Sequence, residues 1–290
     1  MIVVTTPTGN IGRHVLGRLL NAGAQLRVIV RDPRKLPQAA RDRVEIVEGS
    51  HSDPKVVDQA FRDAEAIFWL CPPTPQETPD AATVEFSRPA AEAIRRHGVR
   101  HIVAATTLGR DTPWQEKAGM ATASIHMVDL LRETGAAIRG LALPGFMDNA
   151  LRLVDSLRQG QMVGAISPDK RLPHTAVRDI GEAAAGLLLD RSWTGQIDVP
   201  VLGPEEYSYN DLARIISEVT GRAVRYQHVP YETLKARLLA SGWPEAFAQA
   251  YINMLRAKDE GMDNIAPRAS AIIGPTSFAQ WVEEELKPVL

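Results

Sequence analysis

Three groups of residues in this 290-residue chain have types and spacings that could do chemistry. The first is Thr6-x-x-Gly9-x-x-Gly12, which follows the apolar run Met1–Thr5 and continues into Ile11, Val15, Leu19 and Leu20 at helical spacing. A glycine at position 9 lets the backbone approach a phosphate, and one at position 12 lets a helix pack closely on a strand. The first turn of that helix offers N–H groups and a positive dipole end to an anion. Thr6 stands where such a loop ordinarily has its first glycine. The second group is Val30-Arg31-Asp32-Pro33-Arg34-Lys35. At the end of a second strand, an arginine pairs with a ribose 2′-phosphate, whereas a carboxylate accepts from a free 2′-hydroxyl. Arg31, Arg34 and Lys35 around one aspartate favour the phosphate, so the two groups together predict a dinucleotide site that prefers NADP(H) over NAD(H). The third group is Tyr231-Glu-Thr-Leu-Lys235, which sets a phenol and an ammonium on one helical face, a pairing suited to protonating a carbonyl oxygen. It lies in the helical second half of the chain, outside the alternating strands and helices, and reads as a surface helix.

The elements that must position these groups alternate in type. Strand-like runs at Leu26–Val30, Val44–Val47, Ala66–Leu70, Val99–Ala105 and Ala137–Leu143 are separated by helical stretches at Ile11–Ala22, Pro54–Phe61, Thr83–His97 and Ala121–Thr134. Asp53 followed by Pro54 is a helix start, an N-cap side chain with proline at the first helical position. Apolar strands each followed by a helix predict a parallel sheet covered on both faces, an α/β, doubly wound, Rossmann-type domain over residues 1–150. Residues 151–290 read as a smaller, mainly helical substrate or partner domain, of which about 175–203 returns to the sheet. The prolines of Cys71–Pro79 predict an extended loop.

Composition narrows the function classes. The 33 Lys and Arg residues against 35 Asp and Glu give a formal charge of −2, without the basic surplus that nucleic-acid binding requires. The single cysteine, Cys71, forms no internal disulfide, and no cluster has metal-ligand spacing, so no metal is expected. No stretch approaches the ~20 apolar residues of a membrane span, which predicts a soluble, cytoplasmic protein with no membrane partner. No Gly-x-Ser-x-Gly nucleophile elbow occurs.

Val4-Thr5-Thr6-Pro7-Thr8-Gly9-Asn10-Ile11-Gly12 followed by Val30-Arg31-Asp32 resembles the NmrA-like family of atypical short-chain dehydrogenases/reductases. Further matches stand at Val99-Arg100-His101-Ile102-Val103, Leu143-Pro144-Gly145-Phe146-Met147-Asp148-Asn149, Val177-Arg178-Asp179-Ile180-Gly181 and Leu202-Gly203-Pro204-Glu205, in family order. The resemblance implies a nicotinamide-dinucleotide site in which Thr6, Thr8, Gly9, Asn10, Ile11 and Gly12 hold the pyrophosphate and Arg31 and Lys35 the 2′-phosphate. It places Thr106 and Thr107 along the cofactor pocket, and Pro144, Gly145 and Phe146 beside the nicotinamide. Family members include quinone reductases, reductases of plant phenolics, and redox sensors that bind dinucleotide without turnover.

The departures from the pattern bear on catalysis. The plant reductases carry a lysine on the helix before the Leu131-to-Gly135 element, and this chain has Ser124 there. The arginine common before Pro-Gly-Phe is Leu143, and the aspartate after the third strand's glycine is Ser50. No catalytic acid is assigned. Trp114, His126 and Met147 are candidate substrate-pocket residues; Lys117 and the strand-end pair Trp69 and Cys71 are weaker ones. Two functions follow: an oxidoreductase transferring hydride from NADPH to a small, apolar, quinone-like acceptor, or a non-catalytic redox sensor that regulates a protein partner.

Overall fold

A computed structural model describes residues 1–72 and 74–290. In chain order the elements are β1 (Ile2–Thr5), α1 (Gly12–Asn21), β2 (Leu26–Val30), α2 (Gln38–Arg41), β3 (Glu45–Glu48), α3 (Pro54–Phe61), β4 (Ala66–Trp69), α4 (Phe86–His97), β5 (His101–Thr107), α5 (Met120–Arg132) and β6 (Ala137–Leu143). There follow β7 (Gly145–Phe146), α6 (Val154–Arg158), β8 (Gln161–Gly164), β9 (Leu172–Thr175), α7 (Val177–Leu189), β10 (Gln196–Leu202), β11 (Glu206–Tyr207), α8 (Tyr209–Thr220), β12 (Arg225–His228), α9 (Tyr231–Ala240), α10 (Glu245–Asp259), β13 (Ile272–Ile273) and α11 (Phe278–Trp281). The eight-stranded sheet runs β13-β10-β6-β5-β4-β1-β2-β3 and is parallel throughout, as the apolar strand pattern requires. Strand order reverses between β1 and β4, so the carboxyl ends of these two strands open the crevice where α/β sheets bind ligands.

Each face of the sheet has its own core. Val15, Leu16 and Leu19 of α1 and Ile180, Ala184 and Leu188 of α7 cover one face, on Val4 and Val28. On the other, Val57, Phe61, Ile94, Val128 and Leu131 from α3, α4 and α5 pack on Ile67, Trp69 and Ile102. A third core gathers Leu157, Leu212, Ile216, Phe278 and Trp281 beside two small sheets, β11-β9-β7 and β12-β8. Short strands thus alternate with helices in the second half, β10 and β12 among them. Local signals account for several boundaries: Asp53 Oδ1 accepts from Lys55 N at 2.8 Å at the start of α3, and Ser208 and Asp211 form a capping box on α8. The segment after β7 starts with the 3₁₀ turn Met147–Leu153 and runs into α6. Asp148 Oδ2 there accepts from Val177 N at 3.1 Å, tying the segment to the start of α7. Pro73, within the loop expected to be extended, lies outside the described residues.

Three carboxylates tie together segments far apart in the chain: Asp148, just described, Asp179 and Asp198. Asp179 accepts from Thr276 Oγ1 at 2.8 Å and Thr276 N at 3.1 Å, holding the segment that follows β13. Asp198 on β10 accepts from Arg110 Nε at 2.6 Å and Arg132 Nη2 at 2.8 Å, and Asp129 bonds both arginines as well. A Cβ at Gly140 would lie 2.1 Å from Asp198 Oδ1, so glycine at 140 makes room for this network. Removing the central carboxylate leaves two largely buried guanidiniums short of a partner. Asp198→Ala should therefore destabilise the protein by about 3 kcal/mol in urea unfolding. An unchanged midpoint would show that the network does not hold β10 in place.

Candidate functional site

The crevice at the switch point is built first by the turn from β1 to α1. Thr5 Oγ1 donates to Phe68 O at 2.9 Å and accepts from Leu70 N at 3.1 Å, which fixes the end of β1 against β4. The chain then turns at Thr6, whose φ is +49°, so the position of the missing first glycine keeps a left-handed backbone. Gly9 N donates to Thr6 O at 2.9 Å. A Cβ at Gly12 would stand 2.0 Å from Thr6 O and 2.8 Å from Thr6 C, so only glycine lets α1 start this close to the strand. At Gly9 the clearance is larger, 3.3 Å from a Cβ to Thr6 O, and protein crowding alone does not demand glycine there.

The N-cap position of α1 is Ile11, which provides no side-chain cap. Among the described residues, the N–H groups of Asn10, Ile11 and Gly12 have no protein acceptor. Thr6 Oγ1 is buried and likewise without a partner. Uncapped amides and an orphaned hydroxyl around one glycine turn fit the diphosphate of a dinucleotide, since a buried polar group left unpaired is costly. Thr8 and Asn10 are exposed at the rim, and Ile11 is buried beneath it.

The basic turn stands at the same end of the sheet, because β1 and β2 pair with Thr5 opposite Ile29. Asp32 caps the following 3₁₀ turn, with Oδ1 accepting from Arg34 N at 3.0 Å and from Arg34 Nε at 2.9 Å. Its hydrogen bonds with Arg34 hold the Asp32 carboxyl below its ordinary range. Arg34 is thus occupied by Asp32, while Arg31 and Lys35 are exposed and have no ion-pair partner among the described residues. The carboxylate that could have served a free 2′-hydroxyl is engaged, and two cations are free for a phosphate.

Other expected site residues fall in different surroundings. Thr106 is buried and its Oγ1 donates to Ser124 O at 3.1 Å, tying β5 to α5; Thr107 is half-buried at the strand end. Pro144 is buried, whereas Gly145 and Phe146 are half-buried and pair with His174 and Thr175. A Cβ at Gly145 would lie 3.2 Å from His174 Cδ2, so the Pro-Gly-Phe segment leans on that imidazole. His174 Nδ1 sits 3.0 Å from Leu172 O and therefore carries the proton; burial pushes the ring's pKa down to about 4, so it is neutral.

The substrate-pocket candidates do not converge. Met147 is 1% exposed and belongs to the third core. Trp114 packs with Ala118, Ala257 and Met262, and its indole N–H donates to Glu260 Oε2 at 2.7 Å. His126 pairs with Glu116 at 3.1 Å in a cleft of about 410 Å³ that Asp80, Lys117, Thr122 and Asn253 also line. Two residues on from Ser124, it lies about 200° around α5, away from the face Ser124 presents. Trp69 is core, donating to Ser87 Oγ at 3.1 Å, and burial pushes the Cys71 thiol up to about 12, which disfavours the thiolate. Tyr231 donates to Asp259 Oδ2 at 3.0 Å and Lys235 pairs with Glu245 at 3.3 Å; burial raises the phenol's pKa. Both ends of that pair are consumed within the helical half. Among the described residues no group of three or more His, Cys, Asp or Glu side chains could hold a metal ion, and no helix is long and apolar enough to cross a membrane.

Sequence reasoning passed over His51. Its Nε2 lies 3.0 Å from Leu70 O, and its ring meets Trp69 and Phe86 edge-on at 5.2 and 4.7 Å. Burial lowers its pKa to about 4. The available signal was its place two residues after Gly49 at the end of the third strand, on the crevice side of the sheet.

The sequence pattern of the NmrA-like family matches residues 1–281. The chain is 28% identical to the (4-alkanoyl-5-oxo-2,5-dihydrofuran-3-yl)methyl phosphate reductase of Streptomyces griseus, covering 98% of this chain and 97% of that one. It is 26% identical to the NAD(P)H azoreductase of Xenophilus azovorans, over 86% and 84% of the two chains. The NADPH-dependent quinone oxidoreductase of Escherichia coli, solved in complex with NADPH, superposes with a TM-score of 0.82 at 21% identity, over 99% of this chain and 100% of that one. With its parallel sheet, its glycine turn and this match along nearly the whole length, the chain belongs to the NmrA-like family, with reductases among its relatives.

Proposed function

We propose that the protein is an NADPH-dependent reductase of a conjugated, quinone-like acceptor. The observation that carries the cofactor half is the uncapped start of α1, with three unpaired amides and the Thr6 hydroxyl at one turn. Arg31 and Lys35, left free by the Asp32–Arg34 pair, favour a cofactor with a 2′-phosphate. When bound, that cofactor supplies hydride.

The acceptor half rests on what this chain offers at the reacting end. Adding hydride to a simple ketone leaves a strongly basic alkoxide, which needs a positioned acid or oxyanion contact. Ser124 replaces the family's lysine, and Tyr231 and Lys235 are tied to Asp259 and Glu245. A quinone leaves a phenolate-like anion, whose conjugate acid has a pKa of about 10 by analogy with tyrosine, and water can protonate it. The Streptomyces griseus relative is named for an alkanoyl-oxo-dihydrofuran, and the Escherichia coli relative for quinones; both names describe carbonyl-conjugated acceptors.

Three measurements test this reading. Gly12→Ala should fold yet lose the thermal stabilisation of about 5 °C expected from NADPH at a hundredfold excess over Kd; a preserved shift would remove the turn from the cofactor site. In calorimetry NADPH should bind about tenfold or more tightly than NADH, with Arg31→Ala erasing most of the gap. Equal affinities in the wild type would refute the 2′-phosphate assignment. In an NADPH-oxidation assay, quinones and conjugated enones should turn over while simple ketones and aldehydes stay inert. Ser124→Ala and Tyr231→Phe should each retain quinone reduction within about threefold, since neither group is placed to act as the acid. Ketone reduction that depends on Tyr231 would overturn the acceptor reading, and tight NADPH binding with no turnover on any acceptor would make the protein a redox sensor instead.

A further inference from the structure

Lys258, in the last turn of α10, and Asp263 form a buried ion pair, with Lys258 Nζ donating to Asp263 Oδ2 at 2.5 Å. Taking two charges out of water is costly, and the loss is offset only where their remaining donors and acceptors are also satisfied. Here they are not. Among the described residues the ammonium, which has three donors, bonds Asp263 alone, and Asp263 Oδ1 is buried with no partner. The neighbouring carboxylates are engaged elsewhere, Asp259 with Ser167 and Tyr231, and Glu260 with the indole of Trp114.

The pair lies at the end of the sheet where an acceptor has to approach. Asp263 stands in the 3₁₀ turn Met262–Ile265. Met262 of that turn lies against Gly109, two residues past the carboxyl end of β5, where a Cβ would be 2.7 Å from Met262 Sδ. Asn264 Nδ2 donates to Arg171 O at 3.0 Å, just before β9. The turn thus reaches from the carboxyl end of β5 to β9, whose His174 backs Gly145 beyond the carboxyl end of β6. Burial first, and then the charge of Lys258, keep that imidazole neutral, so the ammonium is on the His174 side of the turn. The side chain of Lys258 is 10% exposed and that of Asp263 1%, so a ligand meets the ammonium first. Rotation about Cβ–Cγ exchanges the carboxylate oxygens and turns the free one toward the same ligand.

We propose that Lys258 and Asp263 form a specificity subsite for the acceptor, with Lys258 donating to a carbonyl oxygen and Asp263 accepting from an amino or hydroxyl group on the adjacent carbon. This rests on the reductase reading proposed above and names its substrate class, neutral quinones and enones with a hydrogen-bond donor beside a carbonyl. The pair carries no net charge, and an anionic ligand would leave a buried charge unbalanced. A site built to accept from a donor on its substrate discriminates against the analogue that lacks it, because its own polar groups are then left unpaired. The pair holds the acceptor and gives up no proton in the reaction.

The test compares 2-amino-1,4-naphthoquinone with 2-methyl-1,4-naphthoquinone, which have nearly the same shape. Each is titrated calorimetrically into protein saturated with NADP⁺, where no hydride is available and only binding is read. The wild type should bind the amino compound about tenfold more tightly, in line with a hydrogen bond to a charged group. Asp263→Asn puts an amide N–H where the carboxylate accepts, and it should bring the two affinities within about threefold. The double variant Lys258→Met/Asp263→Leu should do the same, and it fills the space with apolar side chains, leaving no lone buried charge to unfold the protein. A pair that only supports the fold would change both affinities together and keep their ratio. A ratio that both variants keep, or equal affinities in the wild type, overturns the subsite while the reductase reading stands. Wild-type protein that neither binds nor reduces either quinone overturns both.

Discussion

The contact on which the rest depends is the approach of α1 to β1, where the missing side chain of Gly12 leaves room for the carbonyl of Thr6. Any Cβ at 12 would stand 2.0 Å from that oxygen and push the helix away from the strand. With the helix held this close, its first-turn amides face the carboxyl end of β1, the switch point of the sheet. A side-chain cap at Ile11 would have satisfied those amides from within the protein and closed the turn to an anion. The same small region therefore solves a packing problem and leaves a binding capacity unspent.

Around this turn the protein is held by polar contacts between distant segments. Asp148, Asp179 and Asp198 each bridge chain stretches far apart in sequence: Val177, the segment after β13, and the arginines 110 and 132. Each carboxylate sits at a junction where a later part of the chain meets an earlier one. β10 and β13 extend the sheet beyond β6, and α7 shares a core with α1. Hydrophobic burial supplies the bulk of the stabilisation but no direction. These directed bonds specify which late segment meets which strand.

Much of the fold was legible because it is local. Strands β1 to β6 and their helices follow apolar runs and periodicities that a window of a few residues contains, and the cap at Asp53 marks its boundary by residue type. What could not be read depends on partners far along the chain. β13 has two residues, too few for any pattern, and exists because Leu202 and Val201 are there to pair with it. Met147 follows the Pro-Gly-Phe segment, yet its side chain turns into the third core rather than the crevice. Spacing places His126 on a helix and Tyr231 above Lys235, but it is silent on the acidic neighbours that engage them. Likewise three cations beside Asp32 read as a cluster, whereas the folded turn divides them into one paired arginine and two free charges.

This division explains how the crevice can be both rigid and unsatisfied. Thr5 locks β1 to β4, Asp32 caps the basic turn with the help of Arg34, and the imidazole of His174 backs Gly145. Each of these contacts is made without spending an amide of α1 or the cations of Arg31 and Lys35. Buried side-chain polar atoms elsewhere are nearly all paired, and the unpaired ones among the described residues are Thr6 Oγ1, Arg132 Nε, Thr175 Oγ1 and Asp263 Oδ1. Thr6 is the member of that set that lies in the turn, and it also carries the disfavoured backbone angle. A local conflict of this kind persists only where the surrounding structure over-determines it, and such sites cluster where a ligand is held. The turn between β1 and α1 meets both conditions, since it is clamped at both ends and open in the middle.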